Sequence, residues 1–237
     1  MRKHSIELAL VLMVSLGASA IYSVISLLRK ITSSVGLAGS VTTINQPMAQ
    51  NPWIDLISQL ASISLGLVPP LLALYFLRLD AISIGLIPKW RDLWLVLAMA
   101  AGVGIPGIGL YFLALNLGLT SMVVPNALNP NWWTIPVLLF AAIKAGFLEE
   151  VIVVGYFYKK LELIAPKLAW VWIVILSALL RGSYHLYQGP SAFLGNFLMG
   201  LVFGYIFHRT KRVAPLVIAH AVMDAVVFIG YPLVFGA

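Results

Sequence analysis

Apolar residues run almost without interruption through long stretches of this chain, and polar residues fall in short blocks between them. Seven apolar stretches stand out, at roughly 5–28, 54–77, 92–116, 133–158, 168–187, 191–208 and 213–235. A helix rises 1.5 Å per residue, so about 20 residues cross a hydrocarbon core of about 30 Å. Most of the seven approach or exceed that length, and 191–208 is the shortest. The runs are continuous rather than alternating, which argues against transmembrane strands. The pattern predicts an all-α fold: a polytopic integral membrane helical bundle of about seven transmembrane helices, forming one membrane domain over 1–237.

The blocks between the runs refine this picture. The segment 31–53 is rich in Gly, Ser, Thr and Asn and reads as a surface loop, as does 117–132, which ends at Trp132 beside Trp133. Paired tryptophans suit the interfacial aromatic belt. Gly102, Gly104, Pro106, Gly107 and Gly109 crowd the third run, so a kink or a closely packed neighbour is expected there. Ala18-Ser19-Ala20 resembles a signal-peptidase site. The apolar run continues past it to Leu28, well beyond the about 7–15 residues of a signal h-region, so a retained first helix is expected. No internal repeat is evident, which counts against the inverted-repeat transporters.

Composition narrows the function classes. The 237 residues are 61% hydrophobic and 10% charged. Soluble domains run near 45–50% apolar and about 25% charged, so an ordinary soluble domain is excluded. There is no cysteine, which excludes a disulfide scaffold, a thiol nucleophile and any thiolate metal or cluster site. The net charge of +7 is carried between the apolar runs, by residues such as Lys89, Arg91, Lys159, Lys160, Arg209, Lys211 and Arg212. That placement is the orientation signature of a membrane protein, and no nucleic-acid partner is expected. Segments 78–91, 159–167 and 209–212 carry three Lys or Arg each, whereas 117–132 and 188–190 carry none. Alternating them predicts a plasma-membrane protein with a cytoplasmic N-terminus and an outside C-terminus. Arg29 and Lys30 dissent, and the later loops decide.

A charge in hydrocarbon is costly, so intramembrane ionisable residues are the place to look for chemistry. They gather in the C-terminal half: Lys144, Glu149 and Glu150 on the fourth run, Arg181 and His185 on the fifth, His220 and Asp224 on the seventh. Residues 133–235 therefore read as the motif-bearing core and 1–132 as scaffold helices. Arg181 and His185 are four apart and are expected to share a helix face, as are His220 and Asp224. Glu149 and Glu150 diverge by about 100° on the helical wheel. One is expected to face a reacting group while the other is held by a neighbouring helix.

A carboxylate beside an imidazole in a dry cavity can activate water as a general base. A second imidazole steadied by a carboxylate can donate to an oxyanion. Two imidazoles and a carboxylate are also a common catalytic zinc set. Neither G-x-S-x-G nor H-E-x-x-H is present. The blander readings are interhelical hydrogen bonds for the histidines, a Lys144–Glu149 ion pair, and an Arg181 that snorkels to the surface.

Three pieces together resemble the CPBP family of CAAX proteases and bacteriocin-processing (Abi) enzymes. The pieces are Glu149-Glu150-Val151-Ile152-Val153-Val154-Gly155-Tyr156, Arg181-Gly182-Ser183-Tyr184-His185 and His220-Ala221-Val222-Met223-Asp224. The resemblance implies an intramembrane endopeptidase, bacterial, acting on a membrane-associated peptide or prenylated-protein substrate. By position, Glu149 and His185 would activate water, His220 and Asp224 would support the oxyanion or complete the polar site, and Glu150 would orient or share a proton. A divalent metal such as zinc, if one takes part, falls to Glu149, His185 and His220. The chain departs from the pattern at Val154, where Arg is expected, and at Arg181, where Phe is expected. Arg181 is then the expected charge partner of the glutamate pair, replacing an arginine at 154. The departures also suit a catalytically silent immunity or regulatory protein, and intramembrane Glu and His suit a proton-coupled transporter. One geometric tension remains. Level, straight helices would leave His185 about 15 Å from the depth of Glu150 and His220.

Overall fold

The computed structural model describes residues 2–230. It is mostly helical. Helices α1 (Arg2–Met13) and α2 (Leu16–Ile31) come first. They are bent by 48° at their junction, so the first apolar run is a broken span rather than one straight helix. Ser15 marks the break, and its hydroxyl turns back to the Val11 carbonyl. Helices α3 (Pro52–Gly66) and α4 (Val68–Leu79) follow. They meet at Leu67 and together have the length and apolarity to cross a bilayer. Asn51 caps α3 by accepting from the backbone N–H groups of Trp53 and Ile54, with Pro52 at the first helical position. Helix α5 (Asp92–Asn116) carries Pro106 inside without interruption of the helix. Gly104 packs against Met223, while Gly102, Gly107 and Gly109 face open space.

Three helices are long and apolar enough to span a membrane among the described residues, or four if the bent pair counts as one. The expectation of seven full spans is not confirmed among the described residues. Helix α8 (Trp170–Ser183) has 14 residues, and α10 (Ala214–Ala225) with the π-helical turn that continues it to Gly230 has 17. At 1.5 Å per residue these cover about 21 and 26 Å, short of the bilayer core of about 30 Å. The last apolar run, 213–235, extends partly beyond the described residues.

Two expected loops contain a strand each. Val41–Asn45 (β1) and Met122–Asn126 (β2) form a two-stranded parallel sheet, with Val41 opposite Met122 and Asn45 opposite Asn126. The polar composition of both segments masked short strands whose residues (Val, Thr, Ile) suit a pleated surface. Lys30, expected as a stray outer charge, ties this sheet down. Its ammonium reaches the hydroxyls of Thr42 and Ser121 and, at 2.6 Å, the Tyr187 carbonyl.

The fourth run does not stay α-helical. Helix α6 (Thr134–Glu149) passes into a π-helical turn, Glu150–Tyr156, and then into α7 (Phe157–Ile164). Val151 to Val154 are all β-branched, which crowds an α-turn. Ser177 donates to the Val153 carbonyl at 2.8 Å, and Gly155 lies where a Cβ would strike Ile84 at 2.7 Å. The widened turn begins at Glu150. Its apolar residues are wholly buried against Ile84, Phe203, Phe207 and Leu216, and they form the centre of the core.

Lys160 was expected to be an orientation charge, and the structure corrects this. It is wholly buried and bonds Glu7 and Asp80, each at 2.5 Å, joining α7 to α1 and the end of α4. Burial opposes ionisation of Asp80, but the Lys160 hydrogen bond and charge outweigh it and hold its pKa below the usual value. Arg212 is likewise paired, to Asp92.

Helices α6 and α10 approach at Gly146. A Cβ there would come within 2.8 Å of the Val217 carbonyl and 3.0 Å of the Ala221 nitrogen. This small residue lets two backbones close up one turn before the glutamates. Gly146→Val is expected to push α10 away and destabilise the fold by about 1–3 kcal/mol, as overpacking does. Unfolding midpoints in detergent check this; an unchanged midpoint contradicts it.

Candidate active site

The site is built where α6 ends, α8 ends and α10 passes. The wheel divergence of Glu149 and Glu150 sends the two carboxylates to different places. Glu149 lines a cavity of about 1010 Å³; Glu150 does not, and its side chain is wholly buried. Arg181, on the last turn of α8, is also wholly buried. Its guanidinium donates to Glu150 Oε1 at 2.6 Å and to Glu149 Oε2 at 3.4 Å. It does not snorkel. Its methylenes pass the point where Gly200 of helix α9 (Pro190–Thr210) lets that helix approach Ala178.

His220, on α10, meets the other side of Glu150: Nδ1 lies 2.6 Å from the same Oε1 that Arg181 holds. Its Nε2 lies 3.6 Å from Asp224, one turn on, and both residues line the cavity. The shared face of His220 and Asp224 is thus present. That of Arg181 and His185 is not, because α8 ends at Ser183 and His185 lies beyond it. The His185 N–H closes a turn onto the Gly182 carbonyl, and a 3₁₀ turn, Leu186–Gln188, follows. Gly189 then reverses the chain at φ 132, and a Cβ there would come 2.9 Å from Thr120 Cα.

This early end resolves the depth tension. A short α8 with a tight turn brings His185 Nε2 to 3.6 Å from Glu149 Oε2. His185 is half-buried, and both of its shielded ring nitrogens lack a hydrogen-bond partner among the described residues. Such nitrogens are costly to leave unsatisfied, and here the ring lines the cavity.

Tyr184 was not singled out from the sequence. Its hydroxyl donates to Glu149 Oε2 at 2.8 Å. Its place beside His185 was the available signal. Lys144 makes no ion pair with Glu149, as the five-residue spacing disfavours.

The arrangement does not fit a metal held by Glu149, His185 and His220. Those three do not bring ligand atoms within 4.8 Å of one another, and His220 Nδ1 is committed to Glu150. Among the described residues only His4, Glu7 and Asp80 converge so closely, and there the Lys160 ammonium already bonds both carboxylates.

Comparison with known families decides the wider context. Residues 131–226 match the family of type II CAAX prenyl endopeptidases, described as Rce1-like. Over this stretch, about two fifths of the chain, the sequence is similar to that family. Every site residue named above from Glu149 to Asp224 falls inside the match. No curated protein and no solved structure matches the chain significantly.

Within the matched segment Val154, the departure on the π-helical turn, is wholly buried among apolar neighbours. Arg181→Phe should strip the buried Glu150 of its guanidinium partner, leaving it only His220, and cost about 3–5 kcal/mol of stability. Adding Val154→Arg should recover part of that loss. Thermal unfolding of both variants in detergent checks the pair, and an Arg181→Phe protein as stable as wild type contradicts the assignment of Arg181 as charge partner.

Proposed function

We propose that the chain is an intramembrane endopeptidase that hydrolyses a peptide bond of a membrane-associated substrate, peptide or prenylated protein, by water activated at Glu149. The observation that carries this reading is the facing of Glu149 and the unpartnered His185 across one cavity, 3.6 Å apart. The family match supports the same class of reaction.

In this mechanism Glu149 takes a proton from water, and the hydroxide attacks the scissile carbonyl carbon. Tyr184 and Arg181 hold Glu149 in place from behind. His185 binds the attacking water or the substrate carbonyl. His220, fixed by Glu150 and Asp224, donates to the oxyanion. As the tetrahedral intermediate collapses, the C–N bond breaks and the proton on Glu149 passes to the departing amine. Glu150 positions His220 and touches no substrate. No step needs a metal.

The N-terminus lies in the cytoplasm in this reading and the C-terminus outside, supported by Lys159, Lys167 and the Lys and Arg of 78–91 and 209–212.

The test is cleavage in liposomes. Purified protein and a Glu149→Ala control meet membrane-anchored peptides with and without prenyl groups, and mass spectrometry reads the products. A product that falls at least about 100-fold in the control is expected, in line with loss of a general base. Products equal in both samples, or no product from either with any peptide, contradict hydrolysis at Glu149 and favour a silent membrane partner.

A further inference from the structure

The bundle has two ends of unlike charge, and the cavity reaches only one of them. At the first end Lys160 joins Glu7 to Asp80, and Arg212 pairs with Asp92. The Val213 N–H donates to the Ile84 carbonyl at 2.8 Å, Tyr158 meets His208 at 2.6 Å, and Trp170 stacks on His208. Arg78, Lys89, Arg91, Lys167, Arg209 and Lys211 stand exposed in the segments gathered there. At the second end the two strands pair, and the hydroxyls of Thr120 and Ser121 bond the Gln188 carbonyl. The basic residues of that end are Arg29 and Lys30, and the Lys30 ammonium is held by Thr42, Ser121 and the Tyr187 carbonyl.

Three helices run between the ends and place the cavity. Helix α5 starts at Asp92, at the basic end, and lines the cavity from Val103 to Phe112, away from that start. Helix α9 runs the other way and lines it from Ser191 to Met199, short of the half that leads to Arg209. Helix α10 leaves the basic end at Ala214 and first meets the cavity at His220. Glu149 and His220 therefore lie at its floor. From the floor the walls extend to Asn45, Val123 and Gln188, and the cavity comes to the surface at Gln46, Pro47 and Met48, which are exposed. Below the floor, Glu150, Arg181 and Val151 to Val154 are wholly buried and close the way to the basic end.

Charge then sets the direction. Cytoplasmic loops carry the excess of Lys and Arg, so the basic end is the cytoplasmic one. The mouth at 46–48 lies on the opposite side of the membrane. We infer that the cavity is entered from the non-cytoplasmic side, and that its substrate is a peptide segment presented at the outer face of the membrane rather than a chain held in the cytoplasm. The side of entry rests on the charge asymmetry and the course of the cavity. Its use by a substrate rests on the hydrolytic reading of Glu149.

The experiment reads the side of entry and cleavage separately. The chain has no cysteine, so single cysteines report without background. Gln46→Cys and Gln188→Cys mark the mouth, and Lys167→Cys and Arg209→Cys mark the basic end. Each full-length variant is expressed in cells whose membranes are sealed as right-side-out and as inverted vesicles, and a charged thiol reagent is added outside. The mouth cysteines should react at least about tenfold faster in right-side-out vesicles, and the basic-end cysteines in inverted ones, because a charged reagent does not cross hydrocarbon. Two positions at each end keep the comparison if one variant fails to fold. In parallel, wild type in both vesicle types meets membrane-anchored peptides whose charged tag keeps them in the outer leaflet, and mass spectrometry reads the products. Product is expected in right-side-out vesicles alone. Mouth cysteines that react faster in inverted vesicles overturn the inference. Product formed in inverted vesicles, alone or equally, overturns it too. Mouth labelling from outside with no product in either vesicle type refutes hydrolysis and leaves the side of entry standing.

Discussion

The buried contact of Arg181 with Glu150 is the constraint around which the rest of this bundle is arranged. Both side chains are wholly excluded from solvent, 2.6 Å apart. Neither charge could stay there alone, because an uncompensated buried ion costs several kcal/mol. The pair therefore dictates that the end of α8 meets the start of the π-helical turn. His220 joins on the same oxygen, which draws in α10, and Gly146 makes that approach sterically feasible. The pair does not consume Glu149. It leaves that carboxylate on the cavity wall with a tyrosine hydroxyl and a guanidinium behind it.

The shortness of several helices belongs to the same design. A helix that crossed the bilayer through His185 would carry that ring away from the glutamates. Ending α8 at Ser183 and reversing at Gly189 returns the ring to the carboxylate. The π-helical turn starting at Glu150 is the corresponding irregularity on the other side of the site, and such turns recur where function demands a departure from α geometry. Irregular backbone at membrane depth is tolerated where it is buried in protein or lines a cavity, and both conditions hold here.

The sequence showed the expensive residues clearly, since Glu, Arg, His and Asp stand out inside apolar runs, where each is costly. It also carried the family resemblance, through three short motifs in order. Helix breaks were less legible. Nothing in the run 5–28 announces a 48° bend at Ser15, because its hydroxyl can bond the preceding turn or stay helical. The end of α8 was hidden because Tyr184 and His185 are compatible with helix, and only Gly189-Pro190 marks a stop. Lys160 looked like an orientation charge because its acidic partners, Glu7 and Asp80, are 153 and 80 residues away in sequence. The strands were hidden by their polar setting. The split between Glu149 and Glu150 followed from helical geometry, but which of them faces the cavity needed the neighbouring helices.

A double-mutant cycle on Glu150 and Arg181 tests the organising role of their contact most directly. Wild type, Arg181→Met, Glu150→Gln and the double variant would be compared by reversible unfolding in mixed micelles. Each single variant should be strongly destabilised, and the double should recover about 2–3 kcal/mol relative to the sum of the singles, because it removes both buried charges together. Strictly additive losses would show that the two charges are held independently, and would contradict the account of a site assembled around their contact.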